Sequence, residues 1–451
     1  MAAEVADWSA RDLAVLWHPC TQMKDHEWLP LPPIARGEGA WLYDFEGRRY
    51  LDAISSWWVN LFGHGNAFIA GRIAEQAHTL EQVIFAGATH RPAIELAERL
   101  VTMAPEGLGR CFYADIGSAA VEVALKMSFH YWRNAGRGEK HRFVALANGY
   151  HGETLGALGV CDVDLYKEVY RPLLHEAIMA PSPDAWLAEP GESAEDFARR
   201  RFAAMEAILA ARQAEIAAVI LEPLVQCAGN MRMYHPAYLA LLREACDRYG
   251  VHLIADEIAV GFGRTGTMFA CEQAAIAPDF LLLSKGITGG FLPLAAVLTR
   301  EEIYRAFYDD YRRIERAFLH SHSYTGNPLA CAAANATLDL FAESDVLGAN
   351  RERAAWLAEE AAALRDHPHV GEVRQRGMIL AMELVRRRPR EAYPWQERRG
   401  LRVYQYGLAQ ECWLRALGDV VYWMPPYVIS REEAAHLGRV TRAAIDEATR
   451  D

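Results

Sequence analysis

Phe280-Leu281-Leu282-Leu283-Ser284-Lys285-Gly286 is a short apolar run that stops at a lysine, with more glycines at Gly289 and Gly290. The run suits a buried strand and is too short for a helix. Lys285 then stands at the strand's carboxyl end, where open α/β sheets hold their ligands. An amine partly desolvated there loses its proton more readily and can condense with a carbonyl as a Schiff base. A lone lysine after a strand is more commonly an ordinary surface residue. Here, four other strand or loop ends carry polar groups as well.

Upstream, Val251-His252-Leu253-Ile254-Ala255 reads as a buried strand ending in Asp256-Glu257, and Ile216 to Leu221 as another ending in Glu222-Pro223. Phe143 to Leu146 leads into Asn148-Gly149-Tyr150-His151-Gly152, where glycines around an aromatic let a ring lie over something flat. Arg110 to Ile116 leads into Gly117-Ser118 and a helix from about 119 to 132. Val121, Leu125 and Trp132 stripe one face of it, and Glu122 with Lys126 forms an i,i+4 pair. Free amides and a hydroxyl at a helix start suit a phosphate, although a plain serine N-cap is commoner. Gly261-Phe262-Gly263-Arg264-Thr265-Gly266 matches G-x-G-x-x-G but does not link a strand directly to a long helix, so it is not read as dinucleotide-binding.

The rest of the chain alternates in the same way. Residues 16–33 look like an extended arm, and 40–52 like an antiparallel hairpin. Helical periodicity from 67 to 103 puts Ile73, Ala77, Leu80 and Ile84 on one face, then Ile94, Ala97, Leu100 and Val101 after a break near Gly87 and Pro92. Residues 181–200 read as a surface excursion that runs into a helix from about 194 to 212, and a second helix spans about 238–249. Residues 294–298 read as a strand, 329–341 and 351–364 as helices, 378–384 as a strand, and a final helix starts near 431. His320 and His322 read as hydrogen-bonded structure before the helix at 329. The paired Trp57-Trp58 is either core plus subunit contact or an aromatic pocket wall. Expected divisions are 1–66, an arm and part of a small domain; 67–330, a large domain with mainly parallel strands; and 331–451, the rest of the small α+β domain.

The 451 residues are 52% hydrophobic and 24% charged, which is ordinary globular composition. A net charge of -12 with both signs interspersed argues against nucleic acid as a partner. No apolar run approaches membrane-spanning length, and the acidic start Met1 to Trp8 is unlike a signal peptide. Eight cysteines with no Cys-x-x-Cys read as reduced thiols of a cytoplasmic protein, and no zinc-ligand spacing appears.

A phosphate cradle, an aromatic, fixed anions and a Schiff-base lysine are together the parts that hold pyridoxal 5′-phosphate. The run Asp256-Glu257-Ile258, Gly261 to Gly266, Pro278-Asp279 and Ser284-Lys285-Gly286 resembles the signature of class III aminotransferases. The resemblance implies an α/β fold of the aspartate-aminotransferase-like type (fold type I), with a mainly parallel seven-stranded sheet plus a smaller α+β domain. It implies catalytic roles for Lys285, Asp256 and Tyr150: Schiff base and proton shuttle, partner of the pyridine nitrogen, and ring stacking. Gly117 and Ser118 would take the phosphate, Ile258 the other ring face, and Glu222 lies among the cofactor contacts. His322 and Ser323 would complete the site from the neighbouring subunit of a homodimer. Trp57, Trp58, Tyr150, Ser321, Arg415 and Tyr422 would bind substrate.

Trp17-His18-Pro19, Ser55 to Trp58, Tyr150-His151-Gly152, Glu222 to Gln226 with Gly229 to Pro236, and Tyr422 to Tyr427 resemble the biotin-biosynthetic branch of this class. That branch aminates 8-amino-7-oxononanoate, usually with S-adenosylmethionine as donor. Cys20 stands where many members have tyrosine, His322-Ser323 where they have Pro-Thr, and Glu153 where aspartate is usual. Lysine as donor, or another ω-aminotransferase acting on 4-aminobutyrate or a diamine, are the alternatives.

Overall fold

The computed structural model describes residues 7–450. The opening residues 1–6, part of the acidic start read above, lie outside them. Seven strands form the main sheet: β1 (Arg110–Ala114), β2 (Arg142–Leu146), β3 (Ile178–Ala180), β4 (Ile216–Leu221), β5 (His252–Asp256), β6 (Phe280–Leu283) and β7 (Ala295–Thr299). Their spatial order is β1-β7-β6-β5-β4-β2-β3. The five strands from β6 to β3 run parallel, whereas β7 runs antiparallel to both β6 and β1. Burial of β7 on both faces gives it the same apolar run as its neighbours, so composition alone does not disclose its direction.

Strand periodicity decides what packs where. Ile220, Ile254, Phe280 and Leu282 share one apolar cluster with Val121, Ala124 and Leu125 of helix Gly117–Asn134. Val219, Leu221, Leu253, Leu281 and Leu283 point to the opposite face and join the larger cluster. With both faces covered, the polar residues of the parallel strands sit at strand ends, Asp256 at a carboxyl end and Arg142 and His252 at amino ends. In register Asp256 pairs with Leu282, so Asp256 and Lys285 emerge from neighbouring strand ends.

The first and last parts of the chain meet in a second sheet: strands Ile34–Glu38, Trp41–Asp44 and Arg49–Asp52 are joined by Cys412–Trp413. A third sheet holds Val370–Arg376, Ile379–Leu384, Val420–Trp423 and Arg415–Leu417. The boundary expected at 330/331 falls inside helix Pro328–Glu343, whose Asp339 pairs with Arg99 at 2.8 Å and whose Asn335 bonds Pro92 O.

Several local expectations need correction. Helices span Ala67–Ala77 and Arg91–Met103, and the apolar repeat read through to Ile84 outruns the first of them. Ile84 is 69% exposed and Ile94 45%; the second helix buries Leu100 as expected, together with Ala93 and Leu96. Glu122 does not pair with Lys126. Its Oε1 accepts the N–H groups of Gly156 and Ala157 at the start of the next helix, and Lys126 Nζ lies 2.8 Å from His320 Nδ1. Ser182 and Asp184, read as surface, are buried; Ser182 Oγ donates to Gln226 Oε1 at 2.6 Å. The arm read as extended contains a 3₁₀ turn at Met23–Glu27.

His252, the first residue of β5, is buried against Ser128 Oγ (2.9 Å) and stacked on Trp132. Burial pushes its pKa down to about 4. The unfolded chain binds a proton below about pH 6.5, whereas the folded chain does not until about pH 4. Folding stability therefore falls as pH drops through that window, by up to about 3 kcal/mol. Denaturant unfolding at pH 7, 5.5 and 4 checks this: His252→Gln flattens the acid slope relative to the parent. Glu222 and Glu257, both pushed up to about 7 by burial, act in the opposite sense. Their contribution is present below the unfolded carboxylate pKa and lost as pH rises through 7. They are common to both proteins and cancel in the comparison.

Candidate active site

A cavity of about 250 Å³ opens at the carboxyl ends of the parallel strands. Gly117, Ser118, Trp58, Tyr150, Glu222, Asp256, Ile258 and Lys285 line it. The sequence thus delivers eight expected site residues to one place. Lys285 sits in left-handed backbone at φ 48°, a conformation an L-residue holds only under constraint. Burial pushes its amine below the usual lysine value, while Asp256 pulls the other way. Its Nζ lies 5.0 Å from the Trp58 ring.

Asp256 Oδ1 accepts the N–H of Ile258, and Oδ2 lies 2.7 Å from His151 Nδ1. Both side chains are buried, and His151 Nε2 has no hydrogen-bond partner. Glu222 accepts the backbone N–H groups of Tyr150 (3.0 Å) and Cys227 (2.8 Å). Tyr150 donates through its hydroxyl to Glu153 Oε1 at 2.9 Å, and its ring meets the edge of Tyr166 at 5.5 Å.

Ser118 is not the N-cap. The helix begins at Gly117 after Ile116, which offers no side-chain cap, so its first amides face the cavity. A Cβ on Gly117 would come 3.0 Å from Ile258 Cγ2, and one on Gly152 (φ 119°) 2.4 Å from Ser118 Cβ. These two glycines keep the backbone cradle open.

Trp57 is 37% exposed and carries the Arg415 guanidinium over its ring at 4.5 Å; Trp58 is 3% exposed and donates from Nε1 to the Tyr422 hydroxyl at 3.1 Å. His322, Ser323 and Ser321 do not line the cavity of their own chain. His322 Nδ1 lies 3.3 Å from Asp115 Oδ2, just before the Gly117 end, and Ser323 O accepts from Gln82. Cys20 Sγ lies 3.9 Å from Glu153 Oε1 at the mouth, and burial with the Glu153 charge pushes its thiol up.

The sequence reading missed His151 as a partner of Asp256. His151 stands in the Tyr150-His151-Gly152 stretch that carries the resemblance, but nothing there marks it as the partner of a carboxylate 105 residues away. It also missed Arg264, 1% exposed, which donates to Pro425 O and Asn60 O (2.9 Å each) and to Trp58 O (3.3 Å).

A half-buried lysine at a strand end, a carboxylate on the adjacent strand, a half-buried tyrosine and a glycine-opened helix start are the features of a fold-type-I pyridoxal phosphate enzyme. The residues fit that cofactor: the free amides suit its phosphate, and Asp256, braced by His151, suits a protonated ring nitrogen. The chain belongs to the class III aminotransferases, whose family model matches residues 23–445. It is 46% identical to the adenosylmethionine-8-amino-7-oxononanoate aminotransferase of Helicobacter pylori, over 94% of each chain. The crystal structure of the Methanocaldococcus jannaschii protein of that name superposes with a TM-score of 0.91 at 36% identity, covering 97% of this chain and 98% of that one. An omega transaminase from Pseudomonas jessenii, solved in complex with PMP, superposes at 0.93 with 30% identity and 99% coverage of both. The chain is a pyridoxal phosphate-dependent transaminase.

Proposed function

We propose that this transaminase moves an amino group from S-adenosylmethionine to 8-amino-7-oxononanoate, giving 7,8-diaminononanoate for biotin synthesis. The likeness to the H. pylori relative, at 46% identity over 94% of both chains, carries the reading. The geometry agrees with it: Arg415 over Trp57 gives a carboxylate-binding fork at the end of an aromatic wall, as a long keto acid needs.

Bound pyridoxal phosphate supplies an electron sink that makes the proton on the substrate's amine-bearing carbon removable. The chain's own groups do the rest. Lys285 would bind the cofactor covalently and, once freed, take and return the proton at Nζ; burial pushes the amine below the usual lysine value, in the direction this role needs. Asp256 holds a proton on the ring nitrogen, with His151 fixing its orientation. The amides at Gly117 and Ser118 would hold the phosphate, Tyr150 and Ile258 would flank the ring, and Glu222 fixes the backbone of Tyr150. Trp57, Trp58, Arg415 and Tyr422 would receive the acceptor, with Ser321 supplied by a second copy of the chain.

A second copy of the chain completes the site with His322 and Ser323 and covers Ile84, Ile116 and Tyr324, all exposed in the single chain. The protein works as a cytoplasmic homodimer built from the segments 1–66, 67–330 and 331–451. No helix among the described residues is long and apolar enough to cross a membrane.

A half-reaction tests the donor. S-adenosylmethionine alone is expected to convert the yellow cofactor-loaded protein to the pyridoxamine form. Conversion by lysine alone transfers the donor role to lysine and makes the arm at Cys20 the selecting element. If neither converts it, the ω-transaminase reading, supported by the 0.93 superposition, takes over.

A further inference from the structure

Four consecutive non-glycine residues, Ser55, Ser56, Trp57 and Trp58, have φ of 50°, 45°, 72° and 73°. L-residues enter this region singly, and a run of them persists only where its surroundings over-determine it. Two sets of contacts do so. On one side, buried Asp52 accepts the N–H of Ile54 (3.1 Å) and the hydroxyl of Ser56 (2.9 Å), and bonds His64 Nε2 (2.9 Å). His64 Nδ1 is held by Asn60 Nδ2 at 3.2 Å. On the other side, Ser55 Oγ donates to Met424 O at 2.7 Å, and Arg264 grips the carbonyls of Trp58 and Asn60. The turn sends its two indoles apart, one beneath Lys285 and the other beneath Arg415.

We propose that Asp52 and His64 are positioning residues for the acceptor. They hold the left-handed turn that forms the aromatic wall, and so set how a long keto acid lies against Lys285. Neither lines the cavity. The assignment rests on reading Trp57 and Trp58 as that wall. A carboxylate is required at 52 because three donors converge on it. An amide there turns one N–H group toward Ser56 or His64.

Asp52→Asn is the test, in the cofactor-loaded protein and in the apoprotein. The acceptor KM is expected to rise about ten-fold, with the donor half-reaction within about three-fold of the parent. The near-ultraviolet circular dichroism of the tryptophans changes in both forms. Adding Ser56→Gly, which adopts φ 45° without strain, restores both readouts. Ser56→Ala, which removes one donor, gives a weaker version of the same pattern and serves if Asp52→Asn does not fold. An unchanged acceptor KM, an equal fall in both half-reactions, or no restoration by Ser56→Gly overturns the proposal. If the parent does not aminate 8-amino-7-oxononanoate, the substrate reading fails. The dichroism change and its reversal then still decide the role of Asp52.

Discussion

Replacing Lys285 by alanine is expected to lower both half-reactions by about 10⁴-fold. Among the described residues lining the cavity, Lys285 supplies the one primary amine. Covalent capture of the cofactor and proton transfer both depend on it, so its loss removes two functions together. The nearest other bases are poor substitutes. His151 is committed to Asp256, Glu222 accepts two backbone N–H groups, and burial pushes the Tyr150 hydroxyl well above neutrality. Borohydride reduction followed by intact mass checks the first function: the parent gains the cofactor's mass and Lys285→Ala does not. Added methylamine checks the second, since a small free amine restores part of the proton transfer in the space left by the side chain. The fold is expected to survive, because Lys285 makes no ion pair among the described residues and its Nζ lies 5.0 Å from the Trp58 ring rather than in a hydrogen bond. A variant keeping more than about a tenth of parental turnover overturns the assignment.

The order of chemistry along the chain was legible because three of the parallel strands are buried apolar runs that stop at or just before a polar residue. Ile216 to Leu221 ends at Glu222, Leu253 to Ala255 at Asp256, and Phe280 to Leu283 just before Lys285. The resemblance then supplied roles for those ends. Contacts that depend on tertiary closure were not legible. His151 meets Asp256 only after two strands separated by a hundred residues lie near each other. Arg264 bonds backbone carbonyls, which every residue has, so no side-chain pattern announces it. The turn at Ser55–Trp58 runs against local preference: nothing in two serines and two tryptophans favours positive φ, and it is held by contacts to Asp52, Met424, Tyr422 and Arg264 that are distant in sequence or not announced by it. The exposed Ile84 and Ile94 have a related cause. Sequence periodicity reports that a residue is apolar, not which surface covers it or where the helix stops: Ile84 lies beyond the end of helix Ala67–Ala77, and Ile94 on the outer face of helix Arg91–Met103.

Asp256→Asn isolates charge from geometry. Its Oδ1 can still accept the Ile258 N–H, and its Nδ2 can donate to His151 Nδ1 in the alternative tautomer, so the hydrogen bonds survive while the negative charge is lost. A buried anion fixed against a protonated ring nitrogen acts in a low dielectric, where it is worth far more than in water. Turnover is therefore expected to fall by about 10³-fold, comparable with removing a preorganised charge-stabilising group elsewhere. Lys285 is untouched, so borohydride still adds the cofactor's mass. That separates this loss from the loss in Lys285→Ala. His151→Gln is expected to cost about ten-fold, because it loosens the carboxylate without discharging it. If His151 works through Asp256, the double variant is no slower than Asp256→Asn alone, and the two effects fail to add. Additive losses would mean that His151, whose Nε2 has no partner in the structure, acts on the reaction independently of the carboxylate.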